Sequence, residues 1–249
     1  MGSKISFITV FDIFQDREQF FELIENKENR STILLYQTLV IIGLSIFYGI
    51  VMGSYNSFMQ AVVSGLKIPV LLMFALFICF PAFFVIQYML GSKMTISQMI
   101  STILAGFVVF TTIMASFAPI IIFFMITGNN YAFLKLLHVA IFSFSGFFGM
   151  RTIMEALKFS CDKKSVYPKI GITVFKIWIV IFAFVGMQLA WNLRPFVGDK
   201  SMKFELFREK EGNFYLAVLQ STGTLLGIND NKNTEQKPAD GLNEQTIAE

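Results

Sequence analysis

The chain has 249 residues, of which 55% are hydrophobic and only 15% charged, with thirty phenylalanines and a mean hydropathy of +0.63. These values exclude an ordinary soluble globular domain and leave room for one membrane domain with short soluble ends. The formal net charge of +3 is what Lys and Arg on the flanks of spans leave behind, and no basic patch with interleaved aromatics occurs, so nucleic acid is excluded as a partner.

In chain order, residues 1–30 hold an amphipathic helix. Over residues 5–25, Phe7, Val10, Phe11, Phe14, Phe21 and Ile24 recur at helical spacing, with Asp12, Asp16, Glu18 and Glu22 on the other face. Helices that lie on lipid usually carry Lys and Arg there, so these acids favour docking on protein, whether this chain's own loops, a second copy or another subunit. No cleavable signal peptide is expected in this stretch, because a short apolar core followed by small residues is missing.

Residues 31–192 carry five predicted spans, at about 32–52, 68–90, 98–126, 131–150 and 170–191. The second, Ile68 to Leu90, has no charge on any face and covers roughly 34 Å as a helix, enough for a bilayer core. Pro69 falls in its first turn, whereas Pro81 is internal and should kink it. The third run is longer than a perpendicular span needs and should bend near Pro119; its stripe of Ser101, Ala105, Thr112 and Ser116 suits a central, closely packed helix. A basic loop over residues 151–169 is expected before the fifth span. Residues 193–226 read as a juxtamembrane segment and 227–249, rich in Asn, Lys, Glu and Gln, as a disordered tail. The expected fold is therefore an all-α polytopic transmembrane helical bundle.

With the N-terminus in the cytoplasm, ten Lys and Arg residues flank the spans inside (Lys4, Arg17, Lys27, Arg30, Lys93 and five in the 151–169 loop) against Lys67 and Lys135 outside. An odd number of spans then puts the C-terminal segment outside, despite its five basic residues between Arg194 and Lys210.

The chemistry is bounded by an absence. No Asp or Glu lies between Glu28 and Glu155, nor in the fifth span, so proton- or sodium-coupled transport, cation conduction and aspartyl proteolysis lack their acids at depth. A single histidine rules out a zinc-protease motif; Gly-x-Ser-x-Gly and phosphate-cradling Gly-rich loops are missing; Cys79 and Cys161 suggest neither disulfide nor metal site. An enzyme is not expected, nor any cofactor.

What remains within the spans is basic. Lys135, His138, Ser145 and Gly149 share one face of the fourth span, and Lys176 lies about two turns into the fifth. Two readings stay open: a path for an anion or neutral solute, or lysines that snorkel to headgroups beside a packed histidine. Beyond the last span, Arg194, Glu205, Arg208, Glu209 and Tyr215 form a candidate docking segment.

Gly53-Ser54, Lys67-Ile68-Pro69 opening a span and Phe80-Pro81 within it resemble small bacterial membrane proteins of the five-span Yip1-like group. That resemblance implies five spans, a cytoplasmic N-terminus, an opposite C-terminus and a role in membrane trafficking without known catalysis. The extended C-terminal segment and the lack of a Tyr-Gly-Pro signature depart from the group. The combined expectation is a non-enzymatic bacterial inner-membrane protein, in contact with the lipid bilayer and with its own copies or other membrane subunits. A small channel is the alternative.

Overall fold

The computed structural model describes residues 6–27, 30–89, 91, 93–128, 130–164, 169–198, 206, 218–219 and 221–223. Every extended element among them is helical: a 3₁₀ helix at Phe7–Phe14, then α1 (Arg17–Glu25), α2 (Arg30–Gly53), α3 (Phe58–Met89), α4 (Ile96–Ser116), α5 (Ala118–Thr127), α6 (Tyr131–Lys164) and α7 (Lys169–Leu193). With α4 and α5 taken as one crossing, five helices among the described residues are long and apolar enough to cross a membrane, and the chain is an integral, multi-pass membrane protein.

Several boundaries differ from those predicted, each for a local reason. The N-terminal amphipathic stretch is two helices, because Asp16 adopts an extended backbone and caps α1 by accepting from the Gln19 amide at 3.0 Å. The second span starts at Phe58, ten residues early, so Pro69 sits in the helix interior and not in its first turn. The helix also runs unbroken through Pro81, whose missing N–H leaves the Phe77 carbonyl without its usual donor. Two residues on from Phe77, Trp178 of α7 donates to the Cys79 carbonyl at 3.1 Å, tying a second helix to the proline-weakened stretch. The third crossing divides at Phe117, and Pro119 then occupies the first turn of α5, where its lack of an N–H is harmless. Residues 151–164, expected as a basic loop, continue α6; no Gly or Pro interrupts them, and an Arg151–Glu155 pair at i,i+4 supports the helix.

Across the bundle the helices stand in the order α7, α3, α2, α4, α6, each antiparallel to the next in sequence. The end carrying α1 and the start of α2 is called proximal here, and the opposite end distal. α2 stands in the middle of that row, α4 beside it has Ser101 to Thr111 buried on every face, and α6 and α7, at the two ends, also meet.

Two seams bring backbones into direct contact. Gly49 and Gly53 of α2, a Gly-x-x-x-Gly pair, lie against Gln60, Ala61, Ser64 and Gly65 of α3; a Cβ at Gly49 would be 2.5 Å from the Ser64 carbonyl oxygen. On the other side, Gly106 of α4 meets Gly149 of α6, where a Cβ on Gly149 would be 2.8 Å from the Gly106 oxygen. In a bilayer, where apolar burial against lipid gains little, such close approach and the polar bonds it permits hold helices together. Gln37 of α2 and Ser101 of α4 supply one such link, the amide donating to the Ser101 carbonyl at 3.0 Å and the Ser101 hydroxyl donating back to Gln37 at 2.8 Å.

The N-terminal helices form a layer over the proximal end. Val10, Ile13, Phe20, Phe21 and Ile24 are buried there against the bundle. Arg30, only 7% exposed, clasps the layer to the spans: its guanidinium donates to the Ile24 and Glu25 carbonyls at the end of α1 and to Thr95 and Ser97 at the start of α4. Glu25 accepts from Gln98 and Ser160, and Arg17 pairs with Glu155 of α6.

Candidate functional site

The polar face of α6 points into the bundle but does not form a continuous path. At the distal rim, half-buried Lys135 holds its ammonium 4.7 Å above the ring of Tyr131, which itself stacks on Tyr55. One turn inward, His138 is 3% exposed and its Nδ1 is hydrogen-bonded to the Tyr48 hydroxyl of α2 at 2.8 Å, with the two rings edge to face. Two further turns on, Ser145 is fully buried, and its hydroxyl has no hydrogen-bond partner among the described residues. Gly149 then closes the face against α4. His138 thus joins α6 to α2, and aromatic rings of Tyr48, Phe110 and Phe142 fill the space around it.

Lys176 belongs to a different place. It is exposed on α7 near the proximal end, in a cleft of about 530 Å³ where α7, held on α3 by Phe83, Phe175 and Trp178, diverges from α6. One stripe of α6 lines the other wall: Phe147, Met150, Arg151, Met154, Glu155 and Lys158, at spacings of three and four. Arg151 donates from Nε to Glu155 at 2.9 Å, and Glu155 also takes Arg17. Lys158 and Lys176 have no hydrogen bond or ion pair among the described residues.

Arg194 lies at the distal exit of α7, its guanidinium 3.6 Å from the Trp191 ring. Glu205, Arg208, Glu209 and Tyr215 lie outside the described residues. The segment after Arg194 is folded back into the bundle. Gln60 and Lys67 of α3 donate to the Pro195 carbonyl at 2.9 and 3.3 Å, Ser64 donates to Phe196 at 2.6 Å, and Tyr131 donates to Val197 at 3.0 Å. Lys67 also donates to the Leu206 carbonyl, and is only 6% exposed. Sequence reasoning placed Lys67 at an outer edge and missed this role, although Gln60, Ser64 and Lys67 form a polar stripe at helical spacing.

Searches for similar proteins found no family model, no curated protein and no solved structure that matches this chain.

Proposed function

We propose that the chain is a non-enzymatic protein of a bacterial inner membrane, working as an oligomeric scaffold or as a subunit of a membrane complex, with its proximal end in the cytoplasm. The observation that carries this reading is the N-terminal layer. It buries Val10, Ile13, Phe20, Phe21 and Ile24 on the chain's own bundle, and outward it presents the polar Asp16, Glu18 and Gln19 beside the exposed Phe7, Ile8 and Phe14. An acidic surface is repelled by an anionic leaflet, so its natural counterpart is protein. The excess of Lys and Arg at the proximal end supports the orientation, and the cytoplasmic N-terminus implied by the Yip1-like resemblance agrees with it.

The channel reading receives no comparable support, since Lys135 and His138 engage neighbouring rings. The test is gentle extraction from the native membrane, followed by crosslinking and native mass spectrometry. Retention of a second protein or of further copies, reduced by Glu18→Lys, is expected. A chain that emerges as a monomer under the mildest detergents, with no crosslinked neighbour in the membrane, would overturn the proposal.

A further inference from the structure

The cleft between α6 and α7 has the two-ended character of a phospholipid. α6 descends toward the proximal end and α7 leaves it, so Phe147 and Met150 on α6 lie on the midplane side of Arg151, and Ile179 on α7 lies on the midplane side of Lys176; Met154 alone of the apolar lining falls among the charged groups. The depth also fits. Gly149 crosses α4 at Gly106, ten residues or about 15 Å from the proximal start of that helix, and Arg151 to Lys158 occupy the interval of roughly 3 to 13 Å beyond the crossing. The basic groups therefore lie between that crossing and the proximal end of α4, on the side of the bundle nearer the headgroups.

Charge points the same way. The carboxylate of Glu155 is shared by Arg17 and Arg151, which leaves the terminal nitrogens of Arg151 and the ammonium groups of Lys158 and Lys176 facing the cleft as donors. Arg presents a planar fork suited to phosphate oxygens, and each Lys adds a compact charge. The volume of about 530 Å³ falls within the range of small-molecule sites, roughly 300–1,000 Å³. Basic pockets between transmembrane helices commonly hold lipid headgroups.

We infer that the proximal α6/α7 cleft is a binding site for an anionic phospholipid, with the phosphate held by Arg151, Lys158 and Lys176 and an acyl chain laid along Phe147, Met150 and Ile179. This goes beyond the scaffold reading and does not depend on it: a monomer would bind the lipid equally.

The test uses the full chain in detergent micelles, with bound lipid read by native mass spectrometry against added phosphatidylglycerol or phosphatidylcholine. Phosphatidylglycerol should be retained preferentially. At about 1 kcal/mol per basic residue near a membrane surface, K158Q/K176Q should weaken that retention about thirtyfold and leave phosphatidylcholine unchanged. The control K27Q/K93Q removes two exposed proximal lysines outside the cleft and should change it little. An equal loss in the control pair, equal retention of the two lipids, or displacement of the lipid by inorganic phosphate at similar concentration would each overturn the inference. Should K158Q/K176Q fail to fold, photocrosslinking of a headgroup-labelled phosphatidylglycerol to the unmodified protein decides the matter. Adducts on residues 147–158 and 176–179 support the site, and adducts confined to other segments refute it.

Discussion

Alanine at Gly49 should destabilise the protein, whereas alanine at Gly43, less than two turns away on the same helix, should not. A Cβ at Gly49 would stand 2.5 Å from the Ser64 carbonyl oxygen and 2.8 Å from Gly65 Cα, while ordinary contact begins at 3.4 Å. Both obstacles are backbone and cannot swing aside, so α2 and α3 must part by roughly 0.9 Å (3.4 − 2.5). A gap of that size forfeits about a quarter to a half of the dispersion attraction along the seam, and overpacking of this kind costs about 1–3 kcal/mol. At Gly43 a Cβ meets nothing within 4 Å, so Gly43→Ala is free to gain helix propensity, up to ~1 kcal/mol in water. The assay is unfolding in mixed micelles by titration with a denaturing detergent, followed by the fluorescence of Trp178, which is packed between α3 and α7. If the two alanines shift the midpoint in the same direction and by the same amount, close backbone approach is not what holds this seam.

Tyr48→Phe leaves His138 Nδ1 without its partner in a buried site and should cost about 1–2 kcal/mol in the same titration; an unchanged midpoint would show that the bond contributes nothing net. Lys67→Met removes the ammonium that the Pro195 and Leu206 carbonyls share. A cysteine placed at Val197, which is 5% exposed, in a chain with Cys79 and Cys161 replaced by alanine, should then react at least tenfold faster with a polar maleimide, in line with losing charge-assisted bonds of ~1.5–3 kcal/mol. Equal rates in the two backgrounds would mean that Lys67 does not hold the segment.

Span number was legible because five runs exceed the length a bilayer demands, and that signal survives errors at either end. Boundaries were less legible where polar residues extend a helix beyond the hydrocarbon. Gln60, Ser64 and Lys67 look like a linker until their partners are known, and Arg151 to Lys164 look like a loop because charge suggests solvent. The Gly49-x-x-x-Gly53 pair and the Asp16-x-x-Gln19 cap were present in the residues as motifs. The acceptors for Lys67 and Arg30 were not, since main-chain carbonyls of Pro195, Ile24 and Glu25 leave no mark in side-chain identity. Lys176 stands out in the sequence as a basic residue within an apolar run. Its company of Arg151 and Lys158 follows only from the divergence of α6 and α7, which no local pattern encodes.

The clasped N-terminal layer has a consequence for how the chain is made. Arg17 finds Glu155 across 138 residues of sequence, and Glu25 finds Ser160 across 135. At about 5–20 residues per second, the ribosome needs roughly 7–28 s after Arg17 emerges before its partner exists. Throughout that interval α1 lacks its contacts on α6, the packing of Phe21 on Phe159 among them. Although α1 precedes all five spans, it is thus among the last elements to reach its place, and it must wait at the bilayer surface or in the keeping of the insertion machinery until α6 arrives.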